Sequence, residues 1–130
     1  MSESSYIPGV CNINRAEIAY RRKAMWFGIV VSVIVFAVLL VMHASWWLSI
    51  VLFIPVYIAA IGYLQVTQKF CVSYGSSGRQ NADDGSSEAN EVTEKEALEA
   101  DKAKTKRMNL QAFAASLAIL AVSSIVLYVV

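Results

Sequence analysis

Three long stretches of this 130-residue sequence lack Asp, Glu, Lys, Arg and His altogether. They cover residues 24–42, 46–64 and 110–130 and are 19, 19 and 21 residues long. A helix of roughly 20 residues, rising about 1.5 Å per residue, crosses a hydrocarbon core about 30 Å thick. A chain this short has too little other protein to cover three helices that are apolar on every face. The sequence therefore predicts an all-α integral membrane protein with three transmembrane helices.

Histidine and cysteine are also scarce, with one of the first and two of the second. The sequence has no C-x-x-C spacing, no phosphate-binding loop and no recognisable nucleophile–base pair. The apolar stretches carry no ionisable group, whereas coupled transporters and pumps usually have one within a span. A net charge of +1 gives no basic excess for binding nucleic acid. We therefore predict no enzymatic activity, no cofactor, no metal site and no nucleic-acid partner.

The cations predict an orientation. They precede the first stretch, follow the second and precede the third, whereas the link at 43–45 contains no Lys or Arg. By the positive-inside rule the chain is a multi-pass protein of the inner (plasma) membrane, with a cytoplasmic N-terminus and an external C-terminus. Basic residues beside a span attract anionic lipid. We expect the following residues to contact lipid headgroups: Arg21, Arg22, Lys23, Lys106 and Arg107.

The first half of the chain predicts a cytoplasmic segment followed by a helical hairpin. Asn14 and Glu17 have the spacing of a capping box, so a juxtamembrane helix within residues 1–23 should begin near Arg15 and run into the first span. Only three residues separate the first two spans, so residues 24–65 should form an antiparallel hairpin. Pro55 should kink the second span.

The second half predicts a linker, a stalk and the third span. Residues 66–92 are rich in Ser, Gly, Asn and Asp and should form a flexible cytoplasmic linker. Residues 93–109 are strong helix formers, with a second capping box at Thr93 and Glu96. Charge surrounds this segment, which predicts a solvated stalk that continues into the span at 110–130 and forms one long helix.

Small residues within the spans predict close helix packing. Ala112 and Ser116 have small-xxx-small spacing, and Ala114, Ala118 and Ala121 fall on one face of the third span. Such faces serve either contacts among the three helices or an oligomeric interface, and we favour the internal contact. The predicted packing residues are Gly28, Ser32, Ala114, Ala118 and Ala121.

The two cysteines lie on the same predicted side of the membrane. Cys11 precedes the first span and Cys71 follows the second, so the hairpin could bring them together. The cytoplasm keeps thiols reduced, and two sulfurs are too few for a structural zinc unless two chains combine. We expect two small buried apolar residues and keep a thiol pair as the alternative.

Two motifs resemble an uncharacterised family of small bacterial inner-membrane proteins. They are YIPGVCNINRAEI, beginning at Tyr6, and FCVSYGSSGRQN, beginning at Phe70, with a two-span hairpin between them. The resemblance covers residues 6–81 and implies no activity, and the remainder of the chain departs from the family pattern. The matching residues are Cys11, Asn12, Glu17, Cys71, Gly75 and Asn81.

Taken together, the sequence predicts a small structural or accessory subunit of a membrane assembly. Its expected partners are lipids and other membrane subunits or further copies of itself. One alternative is a homo-oligomeric channel or transporter component, for which the available polar groups in the spans are Ser32, Ser49, Ser116, Ser123 and Ser124. A second alternative is a cytoplasmic thiol sensor that uses Cys11 and Cys71.

Overall fold

The computed structural model describes residues 6–82 and 89–130, which are mostly helical. In chain order the elements are α1 (Arg15–Val41), a 3₁₀ helix (Trp46–Leu52), α2 (Phe53–Gln68), α3 (Val72–Ser77), β1 (Arg79–Gln80), β2 (Asn90–Glu91) and α4 (Lys95–Val129). Three helical stretches are long and apolar enough to cross a membrane: Arg15–Val41, Trp46–Gln68 and Lys95–Val129. The predicted helical architecture with three candidate spans is confirmed at this level.

The first helix begins where the capping pattern predicts. The backbone of Asn14 is extended, and its Oδ1 accepts a hydrogen bond of 3.0 Å from the backbone N–H of Glu17. This bond satisfies one of the amide groups that a helix start leaves unpaired. α1 then continues without a break from Arg15 to Val41. The turn that follows contains His43 with a positive φ of 50°.

The second candidate span changes helix type close to its proline. Residues Trp46–Leu52 form the 3₁₀ helix, and the α-helical part begins at Phe53. Pro55 therefore lies in the first turn of α2, where the missing backbone N–H would have had no intrahelical acceptor. The predicted kink at Pro55 stays a prediction, and the structure shows a change from 3₁₀ to α geometry at Phe53, two residues before the proline.

Helix α2 lies between α1 and α4. Gly28 of α1 is buried against α2, where a Cβ atom would lie 2.6 Å from the backbone N of Ala59 and 2.9 Å from the carbonyl O of Pro55. Further along the hairpin, Gly62 contacts Met25 in the same way. These glycines let the two backbones approach closely. Near the Val41 end of α1, a small apolar core joins the helices through Leu39, Leu52, Val56 and Leu127.

Helix α4 is one continuous helix, as predicted, but it begins at Lys95 and has no side-chain cap. The predicted capping box at Thr93 is therefore wrong. The predicted free stalk is also wrong, because one face of the segment is buried against the rest of the chain. The buried residues of α4 follow one another at helical spacing: Ala97, Asp101, Thr105, Met108, Ala112, Ser116, Ser123 and Leu127.

This stripe corrects the predicted packing face of the third helix. Ala114, Ala118 and Ala121 are exposed, and the buried small residues of the third span are Ala112, Ser116 and Ser123. Two residues along an α-helix turn the side chain by about 200°, so Ala114 points away from the face that carries Ala112. In α1, Gly28 packs as predicted, whereas the Ser32 hydroxyl donates to the Gly28 carbonyl of its own helix at 2.6 Å.

The predicted linker at 66–92 is folded wherever the structure describes it. Residues 83–88 lie outside the described residues. Within the described part, Phe70 and Cys71 are buried, α3 follows at once, and β1 pairs antiparallel with β2. Asn81 and Ala82 are buried as well. Low hydrophobicity predicted flexibility, but this segment is stabilised by contacts with residues distant in the sequence.

Candidate functional site

Polar side chains from four parts of the chain meet at one end of the three helices. We define the headpiece as residues 6–21, 69–82 and 90–108. It contains the start of α1, the segment after α2, and the charged part of α4. Three of its polar residues, Asn12, Asn81 and Asp101, are 1% exposed or less. Buried polar groups need hydrogen-bond partners, so their partners define how the headpiece is held together.

Asp101 of α4 holds the N-terminal segment. Residues 7–11 form a tight turn in which Gly9 has a φ of 69°. The backbone N–H of Gly9 donates to Asp101 Oδ1 at 2.7 Å, and the Tyr6 hydroxyl donates to Asp101 Oδ2. Hydrogen bonds to a charged acceptor are stronger than those between neutral groups. A carboxylate that sequence reasoning assigned to a solvated stalk therefore anchors the beginning of the described chain.

Asn12 joins the N-terminal segment to the residues that follow the hairpin. Its Oδ1 accepts from the backbone N–H of Cys71 at 2.6 Å, and its Nδ2 donates to the Cys71 carbonyl at 3.1 Å. Its main chain also bridges two segments. The Asn12 N–H donates to Lys69 O at 3.2 Å, and the Asn81 N–H donates to Asn12 O at 2.7 Å. One asparagine thus supplies hydrogen-bond partners for main-chain groups of three other residues, Lys69, Cys71 and Asn81.

Glu17 is the shared hydrogen-bond acceptor in a second cluster of polar side chains. Its Oε2 is 2.5 Å from Arg21 Nη1, and its Oε1 accepts from Asn81 Nδ2 at 3.1 Å and from the Tyr74 hydroxyl at 3.3 Å. Burial, followed by the charge of Glu17 and the hydrogen bond to it, raises the pKa of Tyr74. Glu17 therefore connects α1 to α3 and to the segment after it.

Arg21, which the sequence predicts as a lipid-headgroup contact, has its side chain engaged inside this group. Its side chain is 13% exposed, and its Nη2 donates to Cys71 Sγ at 3.0 Å. Burial lowers the pKa of the guanidinium, but the contacts with Cys71, Glu17 and Tyr74 together raise it. Glu17 lies one turn earlier on the same helix and draws the side chain inward. The other predicted lipid-contact residues are exposed, as the prediction requires: Arg22, Lys23, Lys106 and Arg107.

The two cysteines have different surroundings. Both are free thiols. Cys71 is 2% exposed and contacts Arg21, whereas Cys11 is partly exposed and its S–H donates to Ile13 O at 3.6 Å. The hairpin does bring the two segments together, because Asn12 binds the backbone of Cys71.

Most residues that carried the family resemblance meet in the headpiece. Asn12, Glu17, Cys71 and Asn81 are joined by the hydrogen bonds described above. Gly75 packs against α4, where a Cβ atom would lie 2.2 Å from Thr105 Oγ1 and 2.7 Å from the Phe70 ring.

Sequence reasoning missed the roles of Tyr6, Asp101 and Thr105. The available signal was the spacing of Ala97, Asp101, Thr105 and Met108, which continues the small-residue stripe of the third span.

The tyrosines predict a pH response. Burial raises the pKa of Tyr6, and the hydrogen bond and charge of Asp101 raise it further; Tyr74 is shifted in the same direction. A raised tyrosine pKa means that folding favours the neutral phenol. This contribution to stability is fully present below the unfolded pKa of about 10 and is lost as the pH rises through the folded value.

We therefore expect the headpiece to open at strongly alkaline pH. An absorbance titration of tyrosinate should show late-titrating groups, and Tyr6→Phe and Tyr74→Phe should each remove one. If both variants titrate like the unmodified chain, the hydrogen bonds to Asp101 and Glu17 are not formed.

Among residues 6–82 and 89–130, no three His, Cys, Asp or Glu side chains cluster in a way that could hold a metal ion. The headpiece geometry instead fits a structural junction in which most buried polar groups have hydrogen-bond partners; the exceptions among its described side chains are Arg21 Nε and Thr105 Oγ1. Comparison with protein-family models, curated proteins and solved structures finds no match for this chain.

Proposed function

We propose that this protein is an integral membrane subunit whose headpiece fixes three transmembrane helices relative to one another for assembly with other membrane proteins or further copies. The observation that carries this proposal is the pair of anchors formed by Asp101 and Asn12. Asp101 ties the N-terminal segment to the third helix, and Asn12 ties the same segment to the exit of the hairpin. A segment that precedes the first span therefore links all three helices at one end of the bundle.

The outer faces of the helices support a role in assembly. Large apolar side chains remain exposed along all three candidate spans, as lipid or another membrane protein would require. Ala114, Ala118 and Ala121 are exposed on the face of α4 opposite its internal stripe. Small residues allow a second helix to approach closely within a bilayer.

The orientation proposed is the one that the cations favour. Arg22, Lys23, Lys106 and Arg107 are exposed at the headpiece end of the bundle, and the positive-inside rule assigns that end to the cytoplasm. The location that follows is the inner (plasma) membrane, with the C-terminus outside.

Extraction of the full-length chain into mild detergent, followed by mass determination, tests the proposal. We expect a protein mass well above the 14.3 kDa of one chain, from copies or other subunits. Ala118→Leu should reduce the assembled fraction, whereas Ala37→Leu on an exposed face of α1 should leave it unchanged. A stable lone monomer would argue strongly against an assembly subunit.

The serine residues give the channel alternative less support. Ser116 donates to the Ala112 carbonyl of its own helix at 2.8 Å, and Ser49 and Ser124 form a hydrogen bond of 2.5 Å with each other. Ser32 is engaged within α1. These hydroxyls serve intrahelical and interhelical contacts rather than one shared path. Solute flux through liposomes that contain only this protein would favour the channel.

A thiol sensor is the second candidate, and the contact between Arg21 and Cys71 favours it. A cation beside a cysteine is typical of reactive thiols. Labelling of inside-out and right-side-out vesicles with a membrane-impermeant maleimide tests both this role and the orientation. We expect labelling from the cytoplasmic side only, and faster at Cys11 than at buried Cys71. Unchanged labelling after oxidant treatment would remove the sensor.

A further inference from the structure

A pocket of about 630 Å³ lies beside α4 at the point where the helix changes from charged to apolar. Its volume is within the usual range for small-ligand sites. Residues from α2, α3 and α4 line it, and those that matter here are Tyr57, Lys102, Lys106, Asn109 and Phe113. On α4 these positions follow one face from Lys102 to Phe113, a rise of about 16 Å along the helix.

The part of the pocket nearest the N-terminal, charged half of α4 carries two cations. Lys102 and Lys106 are one helical turn apart and both are exposed. Within the part of the chain that the structure describes, the one ion pair is Arg21 with Glu17, so neither lysine has a carboxylate partner there. Two adjacent ammonium groups favour an anion that offers several oxygens, as phosphate does.

Further along α4, after the two lysines, Asn109 is oriented as a hydrogen-bond donor. The Tyr57 hydroxyl donates to Asn109 Oδ1 at 3.0 Å. In the structure Asn109 Oδ1 faces the Tyr57 hydroxyl, so the NH₂ group is the other end of the side chain. Lys102, Lys106 and Asn109 therefore all offer N–H donors, and the hydroxyl groups of Ser76 and Thr105 line the pocket beside them. Such a donor set suits an anion and not a cation.

The part of the pocket nearest the apolar half of α4 is apolar, and contacts between aromatic rings hold its lining in place. Phe53 stacks on Tyr57 with ring centroids 5.8 Å apart and meets Phe113 edge to face at 5.7 Å. Paired aromatic rings provide a rigid apolar surface. Leu110 completes this part of the lining. A free phosphate ion would gain nothing from such a surface, whereas a molecule with an anionic head and an apolar body would use both ends.

We propose that this pocket is a binding site for an anionic phospholipid. Lys102, Lys106 and Asn109 donate to the phosphate, and the first part of an acyl chain lies along Phe113 and Leu110. The site goes beyond the proposed assembly role, and of that role it requires only insertion in a bilayer. It also differs from the general attraction of exposed basic flanks to anionic lipid, because an oriented amide and an aromatic wall accompany the charges.

Native mass spectrometry of the full-length chain released from nanodiscs tests the site. The discs contain phosphatidylglycerol and phosphatidylcholine, and the readout is the lipid that stays bound. We expect a retained phosphatidylglycerol in the unmodified chain. The double variant Lys102→Gln/Lys106→Gln should bind it about tenfold more weakly, since each lysine near anionic lipid contributes several-fold.

The matched control is Arg22→Gln/Lys23→Gln, which removes the same charge from exposed residues elsewhere at the headpiece end. It should retain the lipid, as should Lys102→Arg/Lys106→Arg. Tyr57→Phe should weaken binding without a change in charge. If both glutamine variants lose bound phosphatidylglycerol to the same extent, the lipid is held by unspecific charge attraction, and the proposal is overturned.

Three further measurements separate the other outcomes. Glycerol 1-phosphate added to the disc preparation should not displace the lipid, and displacement at millimolar concentration would instead assign the pocket to a soluble phosphate. Helical circular dichroism verifies that each variant is folded. Failure of the chain to resist carbonate extraction from membranes would defeat the proposed membrane function itself, whereas an inserted chain with no lipid preference would defeat only the lipid site.

Discussion

Replacing Asn12 with alanine is expected to release the N-terminal segment from the hairpin, at a cost of about 1–3 kcal/mol. The Cys71 N–H and C=O both bond to the Asn12 side chain, at 2.6 and 3.1 Å, in a place where Asn12 is fully buried. Alanine leaves the Cys71 N–H without a partner and away from water, whereas the Cys71 carbonyl keeps the hydrogen bond from the Gly75 N–H at 3.0 Å. Each such buried group costs about 1–3 kcal/mol.

Hydrogen exchange of the detergent-solubilised chain measures this effect. The amides of Cys71 and Asn81 should lose protection in Asn12→Ala, because the first loses its acceptor and the second bonds to the displaced Asn12 carbonyl. Amides in the apolar part of α1 should keep their protection. Asn90→Ala, which removes an exposed asparagine from β2, is the matched control and should change neither amide. Equal protection of Cys71 in both variants would mean that Asn12 is not the link.

Replacing Gly28 with alanine is expected to destabilise the hairpin by about 1–3 kcal/mol. On an exposed helix the same change would stabilise by roughly 1 kcal/mol, because alanine is the better helix former. Here the added Cβ would lie 2.6 Å from the Ala59 N and 2.9 Å from the Pro55 O. Both are backbone atoms, so α2 as a whole must move away from α1.

The sign of the change makes the experiment decisive. The free energy of unfolding is measured by titrating the full-length chain from mild detergent into a denaturing one, with helical circular dichroism as the signal. Ala37→Leu adds a larger group on an exposed face of α1 and should stay within about 0.5 kcal/mol of the unmodified chain. A stabilised Gly28→Ala variant would show that α1 and α2 do not pack at this glycine.

The two predictions probe different parts of the proposed function. Asn12→Ala should loosen the headpiece and leave the hairpin packed, whereas Gly28→Ala should separate the hairpin helices and leave the Asp101 and Asn12 anchors in place. If a rigid headpiece is what presents the helices to partners, Asn12→Ala should lower the assembled fraction in mild detergent even though the helices remain intact.

By itself the sequence determined the local features of this protein. Three uncharged stretches are enough to predict three long apolar helices, because helix length and hydrophobicity depend on neighbouring residues alone. The cap at Asn14 was predictable for the same reason, since its partner is only three residues away.

Only the tertiary structure decided how the polar residues are used. Tyr6 and Asp101 are 95 residues apart and Asn12 and Cys71 are 59 apart, so no periodicity within either segment reports their hydrogen bonds. Charge around residues 93–109 predicted a solvated stalk, yet one buried carboxylate with two donors keeps that segment against the N-terminal turn. Asp101 lies on the same face of α4 as Ala112 and Ser116, which are buried, while Ala114 and Ala118 face outward.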